Sequence, residues 1–300
     1  VNLRAVDLNL LVIFDALMRE RHVTRAAQRI PMSQPAMSNA LARLRHLFKD
    51  DLFIRSAGGM EPTPRAAELA DAIRQILRQA ERLMLTDAGF DPATTQRDFT
   101  ARMSDLVGYL ALPGLLRELH AQAPGIALNV LHLSPEHTLA ALEGDQLDFA
   151  LSMALPHAAN IRSAALFSDR MVCVMRAGHP LAAAQLTLAR FLAAEHLRVA
   201  MSPTDIRFVD AVLADRDQKR RVAANVPHWL LIPPILRQTD LVAVISGKLA
   251  AHFAPAEVTV KPLPFSSEPF AWTLYWHRRH DNNQPHKWMR ELIMASCRDL

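Results

Sequence analysis

Residues 24–47, TRAAQRIPMSQPAMSNALARLRHL, read as two short helices joined by a tight turn. Ser33 is a good N-cap, Pro35 falls in the first helical turn where a missing N–H costs nothing, and Ala26 and Ala27 allow close approach of the first helix. On the second helix Met37, Leu41, Leu44 and Phe48 recur at helical spacing and form one apolar stripe. At about 100° per residue, Pro35, Ser38, Asn39, Ala42 and His46 fall on the opposite side, flanked by Arg43 and Arg45. Short polar groups edged by guanidinium groups suit a helix in a DNA major groove, where the polar groups reach base edges and the arginines reach phosphates. An ordinary amphipathic helix with a wet outer face is the competing reading, and the flanking sequence decides between them.

Upstream, residues 7–21 (DLNLLVIFDALMRER) read as a helix with Leu10, Phe14, Leu17 and Met18 turned inward, which completes a three-helix head. Downstream, residues 50–66 (DDLFIRSAGGMEPTPRA) hold a short strand at 52–55, a turn at Gly58-Gly59 and a return at Met60-Glu61. A hairpin after a groove-reading helix makes a wing, with Arg55 placed to meet DNA backbone or minor groove. Thr63 and Pro64 then start a long helix that runs to about residue 85, roughly 33 Å at 1.5 Å per residue. Its apolar positions Ala66, Leu69, Ile73, Ile76, Ala80 and Leu83 alternate spacings of three and four, a narrow seam that asks for a partner helix. Leu69, Ile73, Ile76 and Leu83 are the expected dimerisation residues.

The chain of 300 residues, half hydrophobic and 21% charged, has room for two or three folded domains. Its net charge of +4 is modest but unevenly spread. Between Arg19 and Arg65 the cations Arg19, Arg21, Arg25, Arg29, Arg43, Arg45, Lys49, Arg55 and Arg65 face only Glu20, Asp50, Asp51 and Glu61. A basic head on a near-neutral body fits nucleic-acid binding better than membrane association. Cys173 and Cys297 are too far apart for metal spacing and suggest no disulfide framework. No apolar run reaches membrane-spanning length and the start as given shows no signal core, so the expected compartment is the cytoplasm.

Residues 86–96 (TDAGFDPATTQ) lack periodicity and read as a hinge. Strand and helix then alternate: strands at 99–104, 126–132 and 147–153, and helices at 107–123, broken near Pro113-Gly114, and 138–144. A strand at 170–175 leads to a second unit with strands at 197–201, 221–225 and 241–245 and helices at 205–213, 229–237 and 248–253. A proline-marked segment, 258–269, precedes a strand at 270–277 and a helix at 287–296. Two mainly parallel α/β units with two chain crossings between them create a cleft.

The segments VTRAAQRIPMSQPAMSNALARLR and LFIRSAGGMEPTP, with MSD at 103–105, resemble the LysR-type transcriptional regulators over nearly the whole chain. FDALMRERHVTRAA, SQPAMSNALARLRHLF, GMEPTPRA and LYWHRRH look most similar to a subgroup containing nodulation-gene and naphthalene- or salicylate-responsive activators. Pro31, in the turn, stands where a polar residue is more usual. The resemblance implies an α+β multidomain chain: a winged helix-turn-helix at 1–63, a dimerisation linker helix at 64–86, a hinge at 87–96 and a two-lobed effector domain, like type 2 periplasmic binding proteins, at 97–300. Lobe I would take 97–173 and 265–300, and lobe II 174–264. It further implies a dimer of dimers on an interrupted palindrome in double-stranded promoter DNA, and contact with RNA polymerase. Thr24 would join the DNA-contacting set, with Gln34, Pro35, Ser38 and Asn39 facing bases and Ser33, Arg43, Arg45 and Arg55 holding phosphates.

Ligands in open α/β units gather where strand ends meet helix starts. Ser104-Asp105, Ser202-Pro203-Thr204 and Pro227-His228-Trp229 occupy such junctions, with Ser134 and Met153 as further wall. Trp229, Phe208, Met153 and Met201 could enclose a flat apolar molecule and His228 could bond its carboxylate or phenol. The subgroup favours small aromatic acids or flavonoid-like compounds, and no cofactor or metal is expected. No GxSxG, P-loop, GxGxxG or HExxH motif speaks for an enzyme. His277, His280 and His286 match no zinc spacing and read as surface histidines. A transporter's solute-binding protein would leave residues 1–85 unexplained.

Overall fold

The computed structural model describes residues 7–56, 59–84, 89–201 and 208–300, and the chain divides into two compact units, Val1–Gly89 and Phe90–Leu300. In the first unit α1 (Asn9–Glu20), α2 (Val23–Arg29) and α3 (Gln34–Phe48) precede a hairpin of β1 (Phe53–Ser56) and β2 (Gly59–Pro62), and α4 (Pro64–Met84) follows. Phe14, Leu17, Met37, Leu44, Leu52 and Phe53 are fully buried at its centre. The Phe14 ring packs at 5.7 Å from Phe53 and 6.3 Å from Phe48, so helix and wing share one core. The buried face of α1 is wider than the expected stripe, adding Leu11, Ile13 and Ala16, because α2, α3 and α4 all pack on it.

The wing is fixed by backbone chemistry at two points. Arg21 ends α1 in the left-handed region, and its carbonyl accepts the Met60 amide at 2.9 Å. Gly59 lies against that carbonyl with φ +131°, where a Cβ would sit 2.6 Å from the Arg21 oxygen, so only glycine fits. At the wing's far end the Asp50 carboxylate accepts the Leu52 amide and the Thr63 hydroxyl, both at 2.7 Å, while Thr63 caps α4 through the Ala66 amide at 3.1 Å. Those bonds, the Thr63 hydroxyl foremost, hold the Asp50 carboxyl below its ordinary pKa.

The second unit runs β3 (Arg97–Arg102), α5 (Asp105–Gln122), β4 (Ile126–Leu131), α6 (Pro135–Glu143), β5 (Phe149–Ser152), β6 (Ile161–Asp169), β7 (Met171–Arg176), α7 (Leu188–Ala193), β8 (Glu195–Val199), α8 (Phe208–Ala214) and β9 (Arg221–Val226). A 3₁₀ turn (Trp229–Leu231), α9 (Ile232–Leu236), β10 (Val242–Ser246), α10 (Gly247–Ala250), β11 (Val258–Lys261), β12 (Phe270–His277), a second 3₁₀ turn (Arg278–His280) and α11 (Gln284–Ser296) complete it. Lobe I is a sheet of order β4-β3-β5-β12-β6 and lobe II one of order β11-β7-β10-β8-β9. Each is mixed: β4-β3-β5 and β10-β8-β9 are parallel, while β12 and β7 run antiparallel to their neighbours. In lobe II, Val174, Ala243 and Ile245 face one core and Cys173, Met175 and Val242 the other, the period-two alternation of a sheet covered on both sides.

Several sequence expectations change here. The chain crosses from lobe I to lobe II at Arg170, between β6 and β7, three residues before the expected boundary, and returns between β11 and β12. Strands β6 and β11 and helix α7 add to the expected set. Helix α5 is continuous through Pro113; its buried face, Leu106, Val107, Ala111, Leu115 and Leu119, holds the helix together where the proline lacks an amide. Residues 90–96 belong to the second unit: the Asp91 carbonyl and carboxylate accept the amides of Ala93, Thr94 and Thr95, and the Phe90 ring packs on Trp288 at 5.9 Å. Residues 85–88, the end of the expected linker and the start of the expected hinge, and Gly58 of the expected turn lie outside the described residues.

Candidate nucleic-acid interface and effector cleft

Helix α3 buries Met37, Ala40, Leu41 and Leu44 and exposes Gln34, Pro35, Ser38, Asn39, Ala42, Arg43 and His46, the division that the helical phase predicts. Ser33 caps the helix, its hydroxyl accepting the Ala36 amide at 3.3 Å. Arg43 is exposed and meets the Asp7 carboxylate at 2.9 Å, whose carboxyl is held below its usual pKa by the Asn9 amide first and by Asn9's side chain and Arg43 after it. Arg55 is exposed on β1. Thr24 is half-buried at the start of α2, where its amide bonds Nδ1 of His22 at 3.2 Å; the histidine is the N-cap of α2, a role the sequence reading missed.

Arg45 departs from expectation. Its Nε donates to the Asp51 carbonyl at 2.8 Å and its Nη2 to the Phe53 carbonyl at 2.7 Å, so the guanidinium braces the entry to the wing. Two carbonyls that turn away from the hairpin ladder need donors, and the planar fork supplies both.

The seam of α4 is divided. Ala66, Ala70 and Ile73 are buried in the head's own core with Leu69 and Leu77 packed beside them, because the first half of α4 lies on α1. Ile73 is therefore a core residue of one chain, correcting its expected place in a partner's seam, and Leu69 is half-buried beside it. Ile76 is 48% exposed and is the apolar side chain of the set open to a partner; the Leu83 side chain lies outside the described residues.

In the second unit Ser104 caps α5 through the Val107 amide at 3.5 Å, and Asp105 opens the helix. Oδ2 of Asp105 accepts the Leu230 amide of lobe II at 2.9 Å, so one carboxylate bridges the mouth between lobes. Its Oδ1 is buried without a hydrogen-bond partner among the described residues. Trp229 packs against the cores of both lobes, and the His132 and His228 rings face each other across the junction at 5.6 Å. Ser134 stands before α6 with its hydroxyl 2.8 Å from Nδ1 of His137, and Met153 is half-buried against lobe I, its carbonyl accepting the Tyr275 hydroxyl at 3.3 Å. Phe208 does not join them. It packs with the Cys173, Met175 and Phe265 cluster, on the opposite face of the lobe II sheet from Trp229. Ser202 and Thr204 lie outside the described residues. The sequence reading also passed over Arg102, buried at the end of β3, which donates to the Leu133 and Leu151 carbonyls at 2.9 and 3.2 Å and ties the strand ends beneath the mouth.

The C-terminal histidines are not at the surface. His280 and His286 are buried and stack at 4.4 Å, and burial above all drives the His286 pKa well below its ordinary value. Arginine can only donate, so Nδ1 of His286, 2.7 Å from Nη1 of Arg290, is the acceptor, and Nε2 carries the proton toward the Asp148 carbonyl at 3.2 Å. His280 lies 3.3 Å from Asp145, while half-buried His277 caps the last 3₁₀ turn. Both buried rings are committed to structure. No group of three potential metal-ligating side chains occurs among the described residues, and no helix there is long and apolar enough to cross a membrane.

Comparison with known proteins places both units. Residues 8–67 match the bacterial regulatory helix-turn-helix protein family of lysR type, and residues 95–298 match the LysR substrate binding domain. The chain is 34% identical over 295 residues to the transcriptional activator NagR of a Ralstonia species and 32% identical over 294 residues to the transcriptional activator NahR of Pseudomonas putida, covering 98% of each chain in both pairs. Among solved structures it is similar to the transcriptional regulator PA0477 of Pseudomonas aeruginosa, with a TM-score of 0.82, 34% identity and 97% of each chain covered.

Proposed function

Because the chain belongs to the LysR family of bacterial transcriptional regulators, we propose that α3 lies in the major groove of promoter DNA with Gln34, Pro35, Ser38 and Asn39 toward the bases. Ser33, Arg43 and Arg55 flank that face and take phosphates, and Thr24 joins them from α2. The observation that carries this reading is the division of α3: every residue of the base-facing set is exposed, while Met37, Leu41 and Leu44 hold the helix to its core. The protein works in the cytoplasm as a dimer of dimers, with the exposed apolar part of α4 around Ile76 as one pairing surface, and it activates transcription through RNA polymerase.

The effector is a small aromatic molecule held at the mouth between lobes by Trp229, Met153, His228, Ser104, Ser134 and Asp105. Supporting this are the convergence of strand ends and helix starts there and an aromatic side chain packed on both lobes. Binding shifts the balance between lobe arrangements and thereby the bend imposed on DNA.

The test is fluorescence anisotropy of the full-length chain with DNA from upstream of its own gene, then calorimetric titration with salicylate and a flavone. Specific retention that Asn39→Ala abolishes, with saturable heat that Trp229→Ala removes, is the expected result. Binding indifferent to sequence, or heats unaffected by Trp229→Ala, would refute the respective half.

A further inference from the structure

The first chain crossing between the lobes is occupied by a carboxylate with an unusual number of partners. Asp169, the last residue of β6, is 5% exposed. Its Oδ1 accepts the amides of Arg170 at 2.8 Å and Lys248 at 3.2 Å. Its Oδ2 accepts the indole N–H of Trp272 at 3.3 Å and the hydroxyl of Ser246. Trp272 lies on β12 of lobe I, two residues beyond the Phe270 that pairs with Asp169, whereas Ser246 and Lys248 are the end of β10 and the start of α10 in lobe II. Around this group the Gly247 amide bonds the Arg170 carbonyl at 2.8 Å and the Met171 amide bonds the Ser267 hydroxyl at 3.3 Å, so both crossing segments pass here.

We propose that Asp169 is the positioning residue of the lobe hinge: lobe I carries the carboxylate, Trp272 orients it, and lobe II hangs on it through Ser246 and Lys248. The argument is one of stoichiometry. Four donors converge on two oxygens, and donors from both lobes share a single rigid group, so any rotation of lobe II must stretch its bonds to Asp169 or turn about them. A buried carboxylate is retained only where donors replace its water, and here the donors come from both sides of the hinge. The Asp105–Leu230 bond at the mouth then depends on the angle fixed at Asp169, although one carboxylate opens helix α5, the other closes strand β6, and they share no partner. This inference stands independently of which effector binds, or whether an aromatic one does.

Asp169→Asn tests it. An amide retains one acceptor oxygen: placed at Oδ2 it leaves the Arg170 and Lys248 amides facing an amino group, and placed at Oδ1 it leaves Trp272 so. Ser246→Ala removes one lobe II donor and keeps the charged carboxylate, which gives a second test should the first variant fail to fold. Hydrogen–deuterium exchange of the full-length chain reads the result by segment. Faster exchange at both 247–251 and 228–232, with 195–199 of β8 unchanged, is expected, because loosening the pivot opens the mouth. Acceleration confined to 247–251, uniform acceleration throughout lobe II, or no change in either variant would overturn the assignment.

Discussion

Two arginines two residues apart on α3 should answer to different measurements. Arg45 makes two charge-assisted bonds to the Asp51 and Phe53 carbonyls. At the low end of the range for such bonds, together they contribute about 3 kcal/mol to the head. For a unit of this size that corresponds to roughly 12–24 °C in the melting of the head in Arg45→Ala. Arg43 makes one ion pair, to Asp7, with its own side chain 58% exposed. Exposed pairs contribute under about 1 kcal/mol, so Arg43→Ala should shift that transition by a few degrees at most. On DNA the order reverses. Loss of one phosphate contact reduces the slope of log binding constant against log salt by about 0.9, the result expected for Arg43→Ala and not for Arg45→Ala below its melting point. Arg43→Lys, which keeps the charge, should restore the slope. Calorimetry of the full-length variants and anisotropy at four salt concentrations suffice. An Arg45→Ala protein that melts normally but loses a unit of salt slope would refute the division of labour.

Other consequences are equally direct. Gly59→Ala should destabilise the head by roughly 2–4 kcal/mol, from backbone strain and the lost Met60–Arg21 bond, read as an earlier first transition in calorimetry. His196 is buried, its Nε2 donating to the Phe191 carbonyl at 2.8 Å and its Nδ1 without a hydrogen-bond partner among the described residues, and burial lowers its pKa to about 4 from 6.5. The unfolded chain therefore takes up the proton first as pH falls, and stability drops between pH 6.5 and 4, by about 2 kcal/mol at pH 5. Urea unfolding of lobe II should show this drop, and His196→Gln, which keeps a donor for Phe191, should remove it. Burial pushes the Cys173 thiol up to about 12 and the Cys297 thiol to about 11, so neither should react with a thiol reagent at pH 8 until the protein unfolds; rapid labelling of the folded chain would contradict their placement.

What the sequence made legible follows from which forces act locally. The head was readable because its signals are short-range: Ser33 and Thr63 cap helices within three residues, and Met37, Leu41 and Leu44 mark one face. Strand β12 was readable to the residue because its flanks carry clear punctuation. Strand β6 was not: Arg162, Ser163 and Ser168 interrupt its apolar pattern, and a register shift opposite Trp272 and Thr273 breaks the alternation. Proline beyond β11 disguised a strand as a connection, and Pro113 suggested a break in a helix whose packing overrides it. The same distinction runs through the site. Helical phase identified the exposed face of α3, but nothing near Arg45 in sequence announces the two carbonyls it braces. Phe208 and Trp229 were paired as two aromatics near strand ends, whereas sheet topology puts them on opposite faces.

The contrast between the two ends of the cleft says how such a body can respond to a small molecule. Among the described residues the mouth is joined by the hydrogen bond from the Leu230 amide to Asp105, and Leu230 is exposed. A bond of this kind is worth about 1.5–3 kcal/mol. A ligand of micromolar affinity gains about 8 kcal/mol on binding, and only the part that differs between arrangements can move the equilibrium. About two fifths of that gain is enough to outweigh the mouth bond. At the pivot four donors shared between lobes converge on the buried Asp169 carboxylate, and two of the donor residues, Ser246 and Trp272, are themselves buried. Breaking them together would cost several kcal/mol, comparable to the whole ligand gain. The least costly motion therefore leaves Asp169 in place and swings lobe II about it, opening or closing at Asp105 and Trp229, so that a ligand wedged at the mouth acts on the bond that yields first.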